Sequence, residues 1–282
     1  MFTLIAQNRH GEQLELTHNT AYDIKNIDGI DPPDAVMNVT HNAGYDGSVF
    51  NSSYIDNRTI TITLAINYPA EENRINLYRF FQIKFPVRLY YHNASRDVYI
   101  DGYVQNFQID YFKQKEVAQI TVFCPLPAFN GVNEDIQEFT NIEPRFEFPV
   151  ELPAAGIPFS EMIIDHEKSI INHGDIDTGV LISIRAIGTV VNPKIYNVDT
   201  GEYMIFNLSM SEGDEIIINT RQGQKSVKKI SGGVTTNIIG NMQVGSSWFL
   251  LQAGDNIFTS TADSNPENMV IVFSIIDQFE GV

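Results

Sequence analysis

Cysteine is nearly absent from this 282-residue chain: there is one, Cys124, so no disulfide can form within it. Its setting in Ile120-Thr121-Val122-Phe123-Cys124 marks it as a small buried hydrophobe rather than a reactive thiol. Basic residues are also scarce, 18 Lys and Arg against 35 Asp and Glu, for a formal net charge of −17. A field of that sign repels polyphosphate and anionic headgroups, which argues against sequence-specific nucleic-acid recognition as the main function. Long hydrophobic runs are missing. The longest, Met269 to Ile276, spans eight residues and is interrupted by Ser274, where a bilayer span needs about 20, so no membrane insertion is expected. The opening stretch Met1 to His10 has neither the basic start nor the apolar core of a signal peptide, and the chain is expected to be made without a cleavable address.

Motifs that carry chemistry are equally thin. The six histidines, at 10, 18, 41, 92, 166 and 173, form no H-E-x-x-H pair and lie near no C-x-x-C. Asp165-His166-Glu167 with His173 and Asp175 is the densest cluster of possible metal ligands, and it reads as a polar loop. Asp175-Ile176-Asp177-Thr178-Gly179 begins like a calcium loop but lacks the third acidic position and the distal Glu, so a tight turn is expected. Gly223-Gln224-Lys225-Ser226 lacks the upstream glycine of a phosphate-binding loop. No G-x-S-x-G elbow presents a serine. The sequence therefore offers no catalytic residue, no cofactor site and no metal site, and the expectation is a protein that is not an enzyme.

What is there is β-structure. Hydrophobic residues make up 43% and charged residues 19%, enough for a sizeable core. In Thr59-Ile60-Thr61-Ile62-Thr63-Leu64-Ala65-Ile66 the aliphatic side chains share one face and the threonines the other, as a half-buried strand requires. Val98 to Phe112 and Glu116 to Cys124 read as the two strands of a long hairpin with its tip near Lys113, a two-stranded arm suited to partner contact. One helix is expected from about Pro69 to Lys84: Glu71 and Glu72 suit its positive first turn, Arg79 and Lys84 its negative end, and Pro86 stops it. Pro125-Leu126-Pro127-Ala128-Phe129-Asn130-Gly131 cannot continue a ladder. The domain boundary is placed there, giving domains 1–130 and 131–282 with a linker at about 125–140. Short strands follow at Arg145–Leu152, Val180–Ala186, Glu202–Leu208, Asp214–Thr220, Ser247–Leu251 and Met269–Ile276, separated by Gly, Asn and Asp in the manner of a sandwich.

Two aromatic features bear on partners. Trp248, the single tryptophan, either belongs to the core or faces a sugar from the sandwich surface. Tyr99, Tyr103, Phe107 and Tyr111 recur every four residues and line either an intermolecular surface or the inside of a barrel.

The rear half resembles the distal tail proteins of siphophages in an ordered series. It runs Asn172-His173-Gly174-Asp175, Asn192-Pro193-Lys194-Ile195, Thr200-Gly201-Glu202, Gly213-Asp214-Glu215-Ile216-Ile217-Ile218-Asn219-Thr220, then Trp248-Phe249-Leu250-Leu251-Gln252-Ala253-Gly254-Asp255-Asn256. The front half resembles the ring-forming domain of the same family in its Ile/Thr strand, single helix and aromatic hairpin closed by Cys124-Pro125. The resemblance implies a mainly β protein: a barrel- or sandwich-like ring-forming domain, then a galectin-like β-sandwich. It also implies a homo-hexameric ring around a channel at the tail tip or baseplate of a virion, synthesised in the bacterial host cytoplasm. The implied partners are copies of the chain itself, the tail tube protein, and a tail-tip hub, fibre or receptor-binding protein. No insertion of the kind that carries an added carbohydrate module is evident in the rear half. Subunit contact is assigned to the helix around Tyr78 and Phe81 and to the hairpin at Tyr103, Phe107, Tyr111 and Phe112. The channel wall is expected to be negative or neutral, so that DNA passes without being gripped. The alternative reading is a carbohydrate-binding module for adhesion to a host surface.

Overall fold

The computed structural model describes residues 2–44, 46–111, 115–139 and 167–282, together with the backbone of 142–144 and 160–162. The expected strand at Arg145–Leu152, the pair Asp165-His166 and the predicted contact residue Phe112 lie outside the described residues. The chain divides into two units, 1–132 with 278–282, and 133–277. The final five residues, grouped from sequence with the rear half, thus belong to the first unit.

The first unit is one open antiparallel sheet. Its strands are β1 (Thr3–Asn8), β2 (Gln13–Glu15), β3 (Tyr22–Asp28), β6 (Arg58–Ile66), β7 (Pro86–His92), β8 (Asp97–Asp110) and β9 (Val117–Cys124), in the order β2-β1-β7-β8-β9-β6-β3, and β4 (Ala35–Thr40) and β5 (Val49–Ile55) stand apart from it. The sheet does not close on itself, so the barrel option falls: β2 and β3 have no strand on their outer sides among the described residues. Period-two patterning explains why these segments are strands. In β6 the side chains of Ile60, Ile62, Leu64 and Ile66 are buried while Thr59 is exposed. Each such fully buried aliphatic side chain contributes about 1.5–3 kcal/mol relative to exposure. Val98, Ile100 and Val104 of β8 and Ala118, Ile120 and Val122 of β9 join the same core.

The helix α1 runs from Ala70 to Phe80, with Glu71 and Glu72 in the first turn and Arg79 in the last. It ends four residues earlier than the sequence suggests. The Lys84 N–H donates to Val104 O and the Val104 N–H to Phe85 O, which draws this segment toward the sheet, and Lys84 sits at φ 73, outside the helical region. After β9 the chain forms β10 (Phe129–Gly131), which pairs with the start of β8 on one side and with the final strand Gln278–Phe279 on the other.

The second unit is a β-sandwich. Its larger sheet has the order 135–139, 269–275, 178–186, 215–219, 226–231, 234–237, and the smaller 168–172, 254–261, 194–197, 203–205. Phe258 of the smaller sheet meets Phe273 of the larger at 4.9 Å between ring centroids, and Phe249 lies 5.3 Å from Phe258. These rings lie in the apolar layer between the sheets, with Ile182, Ile184, Ile216 and Ile218 from the larger one.

Candidate subunit-contact surface

The most exposed apolar surface is one the sequence reading passed over. Among the described residues strands β4 and β5 pair only with each other, and all six residues of β4 and all seven of β5 are exposed. The hairpin still presents Val36, Val39, Tyr54 and Ile55 to solvent, with Met37 59% and Phe50 61% exposed. Its ladder is supported by the Asn38 amide donating to Ser52 Oγ at 3.0 Å and the Asn51 amide donating to Thr40 Oγ1 at 2.7 Å. A lone two-stranded hairpin is at best marginally stable in water, and a rimmed apolar patch of this kind marks an interaction surface. The available signal was the pair of β-branched and aromatic runs on either side of the turn-rich stretch from His41 to Ser48.

The β8–β9 hairpin read as a free arm is instead interior to the sheet, flanked by β7 and β6. Its far end is seated on α1. Tyr78 and Tyr111 share a hydrogen bond between their hydroxyls at 2.9 Å, and Phe107 meets the Tyr78 ring edge-on at 5.0 Å. Arg74 of α1 donates to both oxygens of Glu116 at 3.1 Å and lies 5.3 Å from the Tyr111 ring. Burial, aided by the hydrogen bond to Tyr111, pushes the Tyr78 hydroxyl up to about 12. Tyr78, Phe107 and Tyr111 are therefore brought together, with Tyr78 and Tyr111 still partly open to solvent.

Tyr103 is exposed elsewhere, on a groove of about 510 Å³ shared with Arg9, Arg88, Asp101, Leu126 and Asn130. Arg88 grips Asp101 through two hydrogen bonds of 2.6 and 2.9 Å, an arrangement that holds the guanidinium above its ordinary pKa. Phe81 is 1% exposed, in the core beside Leu77. It cannot touch a neighbouring subunit, because the helix has ended and the backbone at φ −95, ψ 68 turns it inward.

Among the described residues, no three of His, Cys, Asp and Glu are grouped to hold a metal ion, and no helix is long and apolar enough to cross a membrane. His173 lies 4.0 Å from Asp135, with Asp175 in the loop that follows. Trp248 is half-buried, packed partly against the sandwich core with the Lys225 ammonium 5.7 Å from its ring centroid.

The open sheet with its separate hairpin and the β-sandwich can be set beside known proteins. Residues 9–124 match the phage tail protein RIFT-related domain, and residues 173–274 match the C-terminal domain of the siphovirus-type tail component. The chain belongs to the siphophage-type distal tail proteins, which are structural components of the tail. No curated protein sequence matches it. The crystal structure of the phage SPP1 Dit protein, described as a paradigm of the hub adsorption apparatus in phages infecting Gram-positive hosts, superposes with a TM-score of 0.70 at 12% identity, covering 99% of each chain. A chain of the phage P2 baseplate in its activated conformation with Ca gives 0.49 at 12% identity over the full length of both. At such identity the likeness to SPP1 Dit is one of fold.

Proposed function

We propose that this protein closes head to tail with copies of itself into a ring at the end of a phage tail, joining the tail tube to the tail-tip hub, fibre or receptor-binding component, and acts mechanically rather than catalytically. The observation that carries the reading is the β4–β5 hairpin, whose exposed apolar side chains need a partner surface. The sheet is compatible with it: β2 and β3 end it without a further paired strand among the described residues, and such edges can meet a neighbouring copy. A ring of six and a galectin-like placement of the sandwich outside it follow the family resemblance. The first unit carries 10 Lys and Arg against 15 Asp and Glu and the second 8 against 20, so the first unit as a whole is only mildly acidic.

Light scattering and negative-stain microscopy of the full chain test this. The expected result is a ring about six times the 31.8 kDa chain mass, alone or with the tail tube protein. Replacing Met37, Phe50 and Tyr54 together by Ser leaves the monomer folded and abolishes the ring, since all three are already exposed. A triple variant that assembles like the parent refutes the reading.

A further inference from the structure

A hairpin that must reach a partner has to leave its sheet in a fixed direction, and the root of β4–β5 is built around one buried cation. Arg58, which opens β6 just after the hairpin, is 3% exposed. Its guanidinium donates from Nε to Pro127 O at 2.6 Å, from Nη1 to Gly29 O and Asp31 O at 2.9 Å each, and from Nη2 to Glu280 O, with the Phe129 ring 4.7 Å away. Gly29 and Asp31 belong to the β3–β4 connection that leads into the hairpin, Pro127 to the β9–β10 connection, and Glu280 to the final segment of the chain. The same segment grips the β3–β4 connection at two further points. The Val282 N–H donates to Ile30 O at 3.2 Å, and a Cβ added at Gly281 would lie 2.8 Å from Pro32 Cδ and 3.0 Å from Pro32 N. Upstream it is anchored by pairing with β10, by the Gln278 amide donating to Asn130 Oδ1 at 2.9 Å, and by Arg96 lying 4.3 Å over the Phe279 ring. Gly29 fits only as glycine: it sits at φ 87, and a Cβ there would meet Thr59 O at 2.1 Å.

We propose that the final segment Gln278–Val282 is a latch for the hairpin: seated through Arg58 and Pro32, it fixes the hairpin's root, and unseating it disables assembly while leaving the sheet folded. The assembly half of this statement rests on the ring reading above; the latch itself does not.

The test uses the whole chain in two altered forms, one ending at Asp277 and one carrying Gly281→Leu, which keeps the segment but wedges it off Pro32. Hydrogen exchange is followed by mass spectrometry and ring content by light scattering, beside the parent and the Met37/Phe50/Tyr54 serine variant. The latch predicts that amides within 29–34 and 56–58 exchange at least about tenfold faster in both forms, that β7 and β8 stay protected, and that ring content falls by about tenfold. Exchange at 29–34 unchanged in both forms overturns the latch, whatever the ring content. Faster exchange with rings undiminished overturns the link to assembly. If the parent itself forms no ring, with or without the tail tube protein, the ring reading fails and the exchange result alone decides the latch.

Discussion

Arg58→Met is the sharpest probe of how the first unit holds together. Methionine keeps an unbranched chain over the Phe129 ring but removes the fork, leaving the carbonyls of Gly29, Asp31, Pro127 and Glu280 without their donor. A hydrogen bond to a charged group is worth about 1.5–3 kcal/mol, so four lost bonds set a ceiling of roughly 6–12 kcal/mol. Two effects reduce it. The guanidinium no longer has to be kept out of water, a cost of several kcal/mol, and burial already pulls its pKa below the usual arginine value against the attraction of Cys124, Glu280 and Asp31. The expected net loss is about 3–5 kcal/mol, in the range for breaking a buried charged network. Arg58→Lys should fall in between, since one ammonium cannot span acceptors on three separate segments. Because Trp248 lies in the second unit, its fluorescence follows that unit, while hydrogen exchange in β6 and β9 follows the first. Urea titration should show protection in β6 and β9 lost at lower urea, with the tryptophan midpoint within about 0.5 kcal/mol of the parent. A variant whose first unit loses less than about 1 kcal/mol refutes the account of Arg58 as the knot of that unit.

Asp214 gives the second unit a defined acid limit. Burial alone would raise its carboxyl pKa, but hydrogen bonds from Lys229, Ser231 and the Ser211 N–H outweigh it and hold the group at about 2. Its stabilising contribution is complete above the ordinary carboxylate range and is lost as pH falls from about 4 through 2, so Asp214→Asn should lower stability at pH 7 by about 1–2 kcal/mol and flatten that acid limb of the tryptophan-detected curve. Burial pushes the Cys124 thiol up to about 12; a thiol reagent at pH 8 should leave the folded protein unmodified and label it fully in denaturant, and rapid labelling of native protein would show that β9 is not the closed strand described.

How much of this was legible in the sequence depended on whether a signal was local. The Ile/Thr alternation of β6 and the runs at 98–110 and 117–124 announced buried-face strands, because period-two patterning is written residue by residue. Strand β7, buried at Val87, Leu89 and Tyr91, was hidden behind Pro86, which was read only as a helix stop. The helix overran for a tertiary reason, the capture of Lys84 and Phe85 by Val104, and with it Phe81 was placed on a helical face that it does not share. The β4–β5 hairpin carries the apolar content of a buried strand, so nothing in its composition says that it stands in water. Least legible of all was the pairing of Phe129 with Phe279. A contact between residues so distant leaves no local pattern, and a charged residue such as Arg58 at the head of a strand reads as exposed until three segments are seen to converge on it.

The net charge of −17 also means something narrower than it first suggested. Most of the excess belongs to the sandwich, and the first unit is acidic by only five charges. What matters for passing DNA is the number of free cations, since phosphate attraction comes from Lys and Arg that can release counterions. Within the first unit, Arg58 is buried among carbonyls, Arg74 is bound to Glu116, Arg88 to Asp101, and Lys115 lies 3.7 Å from Asp23. The Arg9 guanidinium lies 3.8 Å from the centre of the Phe85 ring and that of Arg96 4.3 Å from Phe279, contacts that leave both charges in place. Cations paired with carboxylates or buried in the fold are less available to a phosphate backbone, so in the proposed ring a bore built from this unit would not need a strongly acidic lining to let DNA pass. Among the described residues the proposal turns on Lys25, Arg79 and Lys84: an assembled ring that lined its bore with all three would hold DNA rather than release it.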